Sequence, residues 1–234
     1  MAGVLAQLLS HSPEPEKTVA SAARLCYSAR SVEELKTGMT GAEVASLVGK
    51  LLSMGHLSAL EHASFTFGVE GISRACSHQL VRHRVASYSQ QSQRYVKFDE
   101  VEAVVPPSIA ADAGRASIFE DKLADLWRFY SEMLEDGVPA EDARYILPNA
   151  AATKIIVTMN ARELRHFFSL RLCNRAQWEI RNLAEAMLVA AAPVAPLLFA
   201  GCGPGCVEGP CPEGEFTCGK AKSVKKHLNS IRPS

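Results

Sequence analysis

The chain has 234 residues, of which 47% are hydrophobic and 21% are charged, as in globular proteins with one large core. Its 25 lysines and arginines balance 25 aspartates and glutamates, so no overall charge draws it to nucleic acid or to an anionic membrane, and any anion must be recognised locally. No stretch approaches the roughly 20 apolar residues of a membrane span, and the first 20 residues lack a signal-peptide pattern, which favours a cytoplasmic location.

In the first half of the chain, the spacing of apolar residues predicts mostly helices. These helices are expected over residues 18–28, 40–55 and 72–80. Thr40 and Glu43 form a capping box at the start of the second one. Between the second and third helices, Phe65, Phe67 and Val69 alternate with small or polar residues, which predicts a half-buried strand.

The second half is predicted to be helical again after an extended segment over residues 95–107. Helices are expected over residues 108–136, with an interruption near Gly114, after Pro139, and from Asn174 to about Pro193. A strand is expected over residues 153–159, with Asn160 and Glu163 as a cap-like pair behind it. Because helices dominate and do not alternate with strands in βαβ order, we expect an α+β fold: a helix-rich single domain with a small mixed or antiparallel sheet, not a Rossmann fold.

The composition changes abruptly at Gly201. Residues 1–200 are expected to form the folded domain, and residues 201–234, rich in Gly, Pro, Cys and Lys, a loop-like tail. Four of the seven cysteines lie in this tail, but their spacings match no paired zinc motif. His56, Glu61 and His62 have no further ligand nearby, so no metal site is predicted. A protein organised by a metal on the tail cysteines is the alternative, and it predicts that tail removal abolishes folding or activity.

Residues 82–94, RHRVASYSQQSQR, concentrate positive charge beside hydroxyl and amide side chains. On a helix neighbouring side chains point about 100° apart, so Arg82, His83 and Arg84 can surround a ligand only in a turning or extended segment. Arginine offers paired donors to phosphate, while Ser and Gln offer neutral hydrogen bonds to a ribose or a base edge. The sequence contains neither GxGxxG after a strand nor GxxxxGK[ST], so a nucleotide or flavin would not be held by a Rossmann or P-loop turn.

Two other interpretations of this basic segment stay open. It can be a solvated surface loop, or it can belong to an RNA- or DNA-binding module in which Tyr88 and Tyr95 stack on bases. Zero net charge and a 7% aromatic content count against the second. A second group of arginines, over residues 160–171, lies near a helix start, where anions are favoured; pairing of Glu163 with His166 on a surface helix is the plainer interpretation.

RHRVASYSQQS has the pattern RHRx7S and resembles the motif of the flavin-dependent thymidylate synthases (ThyX family). The segments GHLSALEH, DGVPAEDARYILPNA, NARELRHFFSLR and AQWEIR resemble the family's other blocks in the same order, over about residues 25–187. The resemblance implies a methyltransferase that makes dTMP from dUMP in de novo dTMP biosynthesis. Its co-substrates would be 5,10-methylenetetrahydrofolate as one-carbon donor and NADPH as reductant, working through bound FAD. It also implies a homotetramer with active sites shared between subunits, and no nucleic-acid or membrane partner.

The resemblance also assigns residues. FAD would be bound by Ser58, Arg82, His83, Arg84, Gln90, Asn160, Ala161, Arg162 and His166. The dUMP site would comprise Gln79, Leu80, Val81, Arg82, Gln90, Gln91, Ser92, Gln93, Arg94, Arg144 and Arg171. Arg171 would be the catalytic residue, stabilising the ionised N3 of uracil so that C5 becomes nucleophilic.

Some positions depart from the family pattern or lie outside it. Gln90 and His166 stand where many members carry Glu and Asn. Ser92 is interpreted as a nucleotide ligand and not as a nucleophile, because no base in the motif is placed to activate it. The resemblance does not reach the tail, so removal of residues 201–234 is expected to leave the FAD site intact.

Overall fold

A computed structural model describes residues 3–96 and 102–231. Its four strands form one antiparallel sheet in the order β1-β2-β4-β3. The strands are β1 (Leu5–His11), β2 (Ser64–Ser73), β3 (Ala86–Gln90) and β4 (Ala152–Asn160). The two central strands pair along almost their whole length, with Ser64 opposite Asn160. The predicted α+β class with a small antiparallel sheet is therefore confirmed.

Eleven α-helices accompany the sheet in the described part of the chain. Those before the third strand are α1 (Pro15–Leu25), α2 (Val32–Gly38), α3 (Gly41–Ser53) and α4 (Arg74–Leu80). Those between the third and fourth strands are α5 (Pro107–Ala110), α6 (Ala113–Glu135) and α7 (Ala140–Ala143). Those after the fourth strand are α8 (Ala161–Arg171), α9 (Trp178–Ala191), α10 (Pro196–Phe199) and α11 (Ala221–Ile231). No helix of the described residues is long and apolar enough to cross a membrane.

Local capping explains where several helices begin and end. Thr40 and Glu43 form the predicted capping box of α3, in which each side chain accepts a hydrogen bond from the other residue's backbone N–H. Asn160 likewise accepts a hydrogen bond from the backbone of Glu163 at 2.9 Å and starts α8. Gly137, with a φ of 85° that suits glycine, follows the end of α6 as predicted.

Several predicted boundaries are wrong. The first helix starts at Pro15, since proline fits the first helical turn. The helical segment predicted over residues 108–136 is interrupted at residues 111–112, near Gly114 as predicted, and the Asp112 side chain caps α6. Helix α9 is capped by Gln177 and not opened by Asn174, because the Gln177 side chain accepts from two free backbone N–H groups. Part of the predicted extended segment, residues 97–101, lies outside the described residues.

Two further differences from the predicted elements come from long-range contacts. Ile72 belongs to β2, where it pairs with Thr153, so the helix behind it starts only at Arg74. Strand β1 was not predicted at all; it lies at the sheet edge and alternates poorly between polar and apolar residues. Pairing with β2, far away in sequence, is what orders it.

One face of the sheet carries the core. Phe65, Phe67 and Val157 are completely buried on this face, which is covered by α8 and α9. A smaller cluster forms where Leu123 and Trp127 of α6 pack against the start of β4. The covering helices and the sheet thus hold the ends of β4, α4 and α8 in fixed positions.

The tail packs onto the same core. Cys202, Val207, Val224 and Leu228 are buried there, and His227 contacts Glu185 of α9 at 3.0 Å. The expectation of a loop is wrong for α11, because Val224 and Leu228, four positions apart, share one helix face that the core covers. The division of the chain at residue 200 into a catalytic domain and a tail stays a prediction.

Candidate active site

The RHR turn, residues 81–85, connects α4 to β3. Tyr88 holds it closed: its hydroxyl lies 2.9 Å from the carbonyl oxygen of Leu80 and 2.8 Å from that of His83. The chain reverses here, so His83 points inward and is 4% exposed, whereas Arg82 and Arg84 are exposed. The structure therefore has the predicted turning segment. Because the Tyr88 hydroxyl is used inside the turn and its ring is partly buried, Tyr88 does not offer a free stacking surface for nucleic acid.

His83 lies at the centre of a buried hydrogen-bonded chain. Its Nδ1 is 3.3 Å from a carboxylate oxygen of Glu163, and Arg171 Nε donates to its Nε2 at 3.0 Å. Nε2 must therefore accept, which places the imidazole proton on Nδ1. Burial, Arg171 and His166 lower the pKa of His83 to about 4, and burial raises the pKa of Glu163. The contact with Glu163 is thus a hydrogen bond of a neutral imidazole at pH 7.

Arg171 joins the two helices that face the RHR turn. It is the last residue of α8, and its Nη2 donates to the carbonyl of Gln79 near the end of α4 at 3.3 Å. With both Nε and Nη2 engaged, the planar guanidinium is held in one orientation. The structure thus brings Gln79, His83 and Arg171 together beside the RHR turn.

We expect the buried neutral imidazole of His83 to make stability fall in mild acid. An unfolded histidine titrates near 6.5 and folded His83 near 4, so between these pH values the unfolded chain binds more protons and stability decreases as pH falls. The free energy of unfolding should drop by about 1.5 kcal/mol from pH 6.5 to 5 through this group. The raised pKa of Glu163 has the opposite sign and offsets a part of this.

The measurement is urea unfolding across this pH range. His83→Asn, whose amide can still donate to Glu163, should flatten the pH dependence, while His78→Asn at an exposed position should not. Equal slopes for the wild type and His83→Asn would rule out this role of His83.

A second group of predicted residues gathers around Glu141. Arg94 contacts its carboxylate at 2.8 Å and Arg144 Nε donates to its carbonyl at 3.0 Å. Arg74, the first residue of α4, lies close enough that Arg144, after burial, contributes to lowering its pKa. Arg94 and Arg144 thus contact the same residue, Glu141, and Arg74 lies near Arg144, so three guanidinium groups are close enough to suit an anionic ligand. Arg74 and Glu141 were not predicted from the sequence.

The last residue of β3 and the segment after it supply the neutral groups. Gln90 donates to the hydroxyls of Ser77 at 3.0 Å and Thr153 at 3.2 Å, so its amide is fixed against α4 and β4. Gln91 and Ser92 are partly exposed, and Gln93 is buried. Leu80 is completely buried, so only its backbone is available to a ligand, whereas Val81 is exposed.

A third group of predicted residues lines a cavity of about 750 Å³. Its lining includes Asn160, Arg162 and His166 from the predicted cofactor residues, and Glu61, which pairs with Arg162. Ser58, Arg82 and Arg84 are exposed and are not part of this lining, and Ala161 is buried in the core. The rings of His166 and His83 are 5.9 Å apart, which connects this cavity to the chain that ends at Arg171.

Residues of the tail complete the lining of this cavity, although the sequence predicts that the tail lies outside the FAD site. The tail wall, residues 201–208, contributes Gly201, Cys202, Gly203, Gly205 and Glu208 to the lining. The structure therefore does not support the expectation that removal of residues 201–234 leaves the cofactor site intact. The contribution of the tail was not predicted because its composition differs abruptly from that of the domain, and no local pattern in the tail indicates a cavity.

The cysteines give no formed metal centre. Cys206 has the thiols of Cys211, Cys173 and Cys218 near it, and its pKa is raised by burial and then by these thiols. Within residues 3–96 and 102–231, no group of three or more His, Cys, Asp or Glu side chains is arranged to hold a metal ion. Burial also raises the pKa of the Cys76 thiol, which makes a reactive thiolate there unfavourable.

Fold and site together define an α+β protein with a fixed Glu163–His83–Arg171 chain, a cavity of about 750 Å³ beside it, and a cluster of arginines suited to an anionic ligand. Residues 7–197 match the family model described as thymidylate synthase complementing protein. The chain belongs to the flavin-dependent thymidylate synthase family. It is 59% identical over 221 residues to the flavin-dependent thymidylate synthase of Geobacter sulfurreducens, covering 94% of this chain and 95% of the relative.

Further comparisons agree. The flavin-dependent thymidylate synthase of Clostridium tetani is 50% identical over 240 residues, with 96% of each chain covered. Among solved structures, the UMP/dUMP methylase PolB from Streptomyces cacaoi, bound with 5-Br dUMP, superposes with a TM-score of 0.73. The match covers 87% of this chain and 97% of that one at 24% sequence identity, so it supports the fold.

Proposed function

We propose that the chain is a flavin-dependent thymidylate synthase that methylates dUMP to dTMP, with 5,10-methylenetetrahydrofolate as one-carbon donor and NADPH as reductant. The observation that carries the proposal is the fixed chain Glu163–His83–Arg171 between the cavity lined by α8 and the arginines around Glu141, in a protein of this family. FAD, when bound, supplies the hydride transfer that the reaction needs. The protein's own residues bind, orient and polarise.

Arg171 is proposed to polarise the uracil. Its guanidinium is held by His83 and by the carbonyl of Gln79, so it presents its remaining donors in a fixed direction. A preorganised cation favours negative charge on N3 of uracil, and this charge increases the electron density at C5. Neutral His83 does not compete with it for that charge, because its pKa is held near 4.

The cations around Glu141 are proposed to bind the phosphate of dUMP. Arg94 and Arg144 already contact Glu141, and Arg74 lies beside Arg144. Arg74 and Gln79 lie five positions apart on α4, which at a rise of about 1.5 Å per residue separates them by roughly 8 Å along the helix. One nucleotide can thus extend along α4, with its base at Arg171 and its phosphate at Arg74.

The residues around the large cavity fit a flavin nucleotide. Arg162, Arg165 and His166 on α8 are donors suited to a diphosphate, and the cavity volume of about 750 Å³ is in the range of cofactor sites. With Asn160 at the start of the helix, they are proposed to hold FAD. Gln90, at the end of β3, and the backbone of Ala161 are proposed to approach it from the same chain.

The functional protein is proposed to be a cytoplasmic homotetramer with shared sites. The outer face of the sheet leaves Leu5, Leu9 and Ile156 roughly half exposed, which suits burial against another copy of the chain. Ser58, Arg82 and Arg84, exposed and outside the cavity lining of their own chain, would then serve a neighbouring cavity.

The function is tested by detecting dTMP by mass spectrometry. Purified protein is incubated with dUMP, 5,10-methylenetetrahydrofolate and NADPH, in paired reactions with and without added FAD. We expect product that depends on NADPH and on flavin. No dTMP from folded, flavin-loaded protein would refute the proposed reaction.

We expect Ser92→Ala to weaken dUMP binding without stopping the reaction. The Ser92 hydroxyl accepts a hydrogen bond from the backbone N–H of Arg94 at 3.0 Å, so it helps to shape the anion site. Because this partner is an amide and not a base, it does not activate the hydroxyl as a nucleophile. KM for dUMP should rise about tenfold with kcat within about twofold, as for loss of ground-state binding. Ser89→Ala on β3 is the matched control. A vanishing kcat at saturating dUMP would make Ser92 a nucleophile instead.

A further inference from the structure

The tail wall faces residues of the proposed flavin site but lies outside the family match. Gly201, Gly203 and Glu208 line the same cavity as Arg162 and His166. The match to the family model ends at residue 197, so nothing in the motifs assigns a role to residues 201–208. The cavity nevertheless has these residues as one of its sides.

The tail wall is fixed to the domain. Arg165 Nη1 donates to the carbonyls of Leu198 at 2.7 Å and Ala200 at 2.9 Å, directly before the wall begins. Within the wall, Cys202 is 2% exposed and Val207 5% exposed, both in the main core. A segment tied by charged hydrogen bonds and buried side chains keeps its position relative to α8.

Glu208 folds back onto Gly201. A Cβ placed on Gly201 would come within 2.2 Å of Glu208 Oε1, so the carboxylate lies directly against the glycine backbone. Gly201 also has a φ of +65°, which L side chains rarely adopt. The positive φ favours glycine at this position, and because glycine has no side chain, the Glu208 carboxylate can lie against it in the cavity lining.

The two sides of the cavity suit different parts of a dinucleotide. The reacting ring of the cofactor must approach the uracil, and His166 lies on that side, with His83 and Arg171 beyond it. The rest of the cofactor therefore extends towards the tail wall. Arg162 and Arg165 suit its diphosphate, and a carboxylate such as Glu208 suits ribose hydroxyls, as acidic residues do in other dinucleotide sites.

We propose that the tail wall binds the adenosine half of the flavin cofactor, with Glu208 accepting hydrogen bonds from its ribose hydroxyls. This rests on the proposed function, because it takes FAD as the cofactor. It goes beyond that function in making residues 201–208 part of the cofactor site and the basis for preferring FAD over FMN, which lacks the adenosine half.

The test is titration of the full-length apoprotein with FAD and with FMN, followed by flavin fluorescence. Glu208→Gln should raise the Kd for FAD about tenfold, the usual loss for a hydrogen bond to a charged group, and leave the Kd for FMN within about twofold. Gly201→Ala should weaken FAD binding at least as much, because its new Cβ displaces the Glu208 carboxylate.

Two matched controls separate local strain from a lost contact. Gly219 has a φ of +69° and open space around it, so Gly219→Ala imposes the same backbone penalty away from the cavity. Glu215 is exposed, so Glu215→Gln removes a tail charge outside the cavity. Both should bind FAD like the wild type. If Gly201→Ala unfolds at a much lower temperature than Gly219→Ala, the comparison of Glu208→Gln with Glu215→Gln decides.

Each result has a definite meaning. Selective loss of FAD affinity in Glu208→Gln supports the proposal. FAD binding in Glu208→Gln equal to that of Glu215→Gln, in a protein that makes dTMP, overturns it while the proposed function stands. Equal weakening of FAD and FMN overturns the adenosine assignment. A wild type that binds no FAD and makes no dTMP overturns the proposed function itself.

Discussion

Arg171→Ala is expected to lower kcat by about 10²- to 10³-fold while the protein still binds FAD, since this is the usual effect of removing one preorganised charge-stabilising donor. The guanidinium is fixed by His83 at 3.0 Å and by the Gln79 carbonyl at 3.3 Å, so little reorganisation is needed when charge develops on the uracil. An arginine that is mobile or surrounded by water would stabilise the charge on the uracil much less.

The measurement is kcat at saturating dUMP, together with the flavin absorbance of the purified variant. Arg171→Lys keeps the charge but lacks the planar fork, so it should recover only a part of the rate. Arg128→Ala, an exposed arginine of α6 that pairs with Asp125, is the control and should leave kcat unchanged. Near-normal turnover by Arg171→Ala would remove this residue from the mechanism.

The largest loss of stability is expected from Glu179→Ala. The Glu179 side chain is 2% exposed, and its two oxygens accept from the Ser73 backbone N–H at 2.6 Å and the Ser73 hydroxyl at 2.7 Å. Truncation leaves two buried donors without their acceptor, so the free energy of unfolding should fall by about 4 kcal/mol. The same contact fixes the start of α4, and hence both ends of the proposed dUMP site.

Two further variants test this explanation. Glu179→Gln can accept from the backbone N–H and donate to the hydroxyl, so it should lose less than half as much. Glu185→Ala, on the same helix with a partly exposed contact to His227, should cost under about 1 kcal/mol. Denaturant unfolding of the three proteins gives the comparison. A loss by Glu179→Ala no larger than that by Glu185→Ala would show that the buried contact does not stabilise α4.

Features defined by neighbouring residues were predictable from the sequence. The capping box of Thr40 and Glu43, the cap formed by Asn160, and the glycine that ends α6 all depend on contacts within one helical turn. The RHR turn was predictable for a similar reason, because three adjacent basic side chains cannot share one helix face. The α+β class followed from the order of helical and alternating patterns.

Features that depend on distant residues were not predictable. Glu163 looked like a surface partner of His166, but it contacts His83, eighty positions earlier, because the sheet brings β4 beside the RHR turn. Arg74 and Glu141 belong to the site only because the fold brings Arg94 to Glu141 and Arg144 near Arg74, residues that are far apart in sequence. The tail helix had a local signal in Val224 and Leu228, but the Gly, Pro and Cys content before it obscured that signal.

The pairing of the strands has a consequence for how the protein reaches this structure. Every ladder of the sheet joins residues roughly 50 or more positions apart, as with Ser64 and Asn160, and no tight hairpin connects any two of the four described strands. Long loops must close before these contacts form, so the helices can appear early while the sheet forms late. The chain Glu163–His83–Arg171 joins α8 to the RHR turn, two segments that only the finished sheet aligns. Refolding from denaturant should therefore be slow, and flavin affinity should return with the slowest phase.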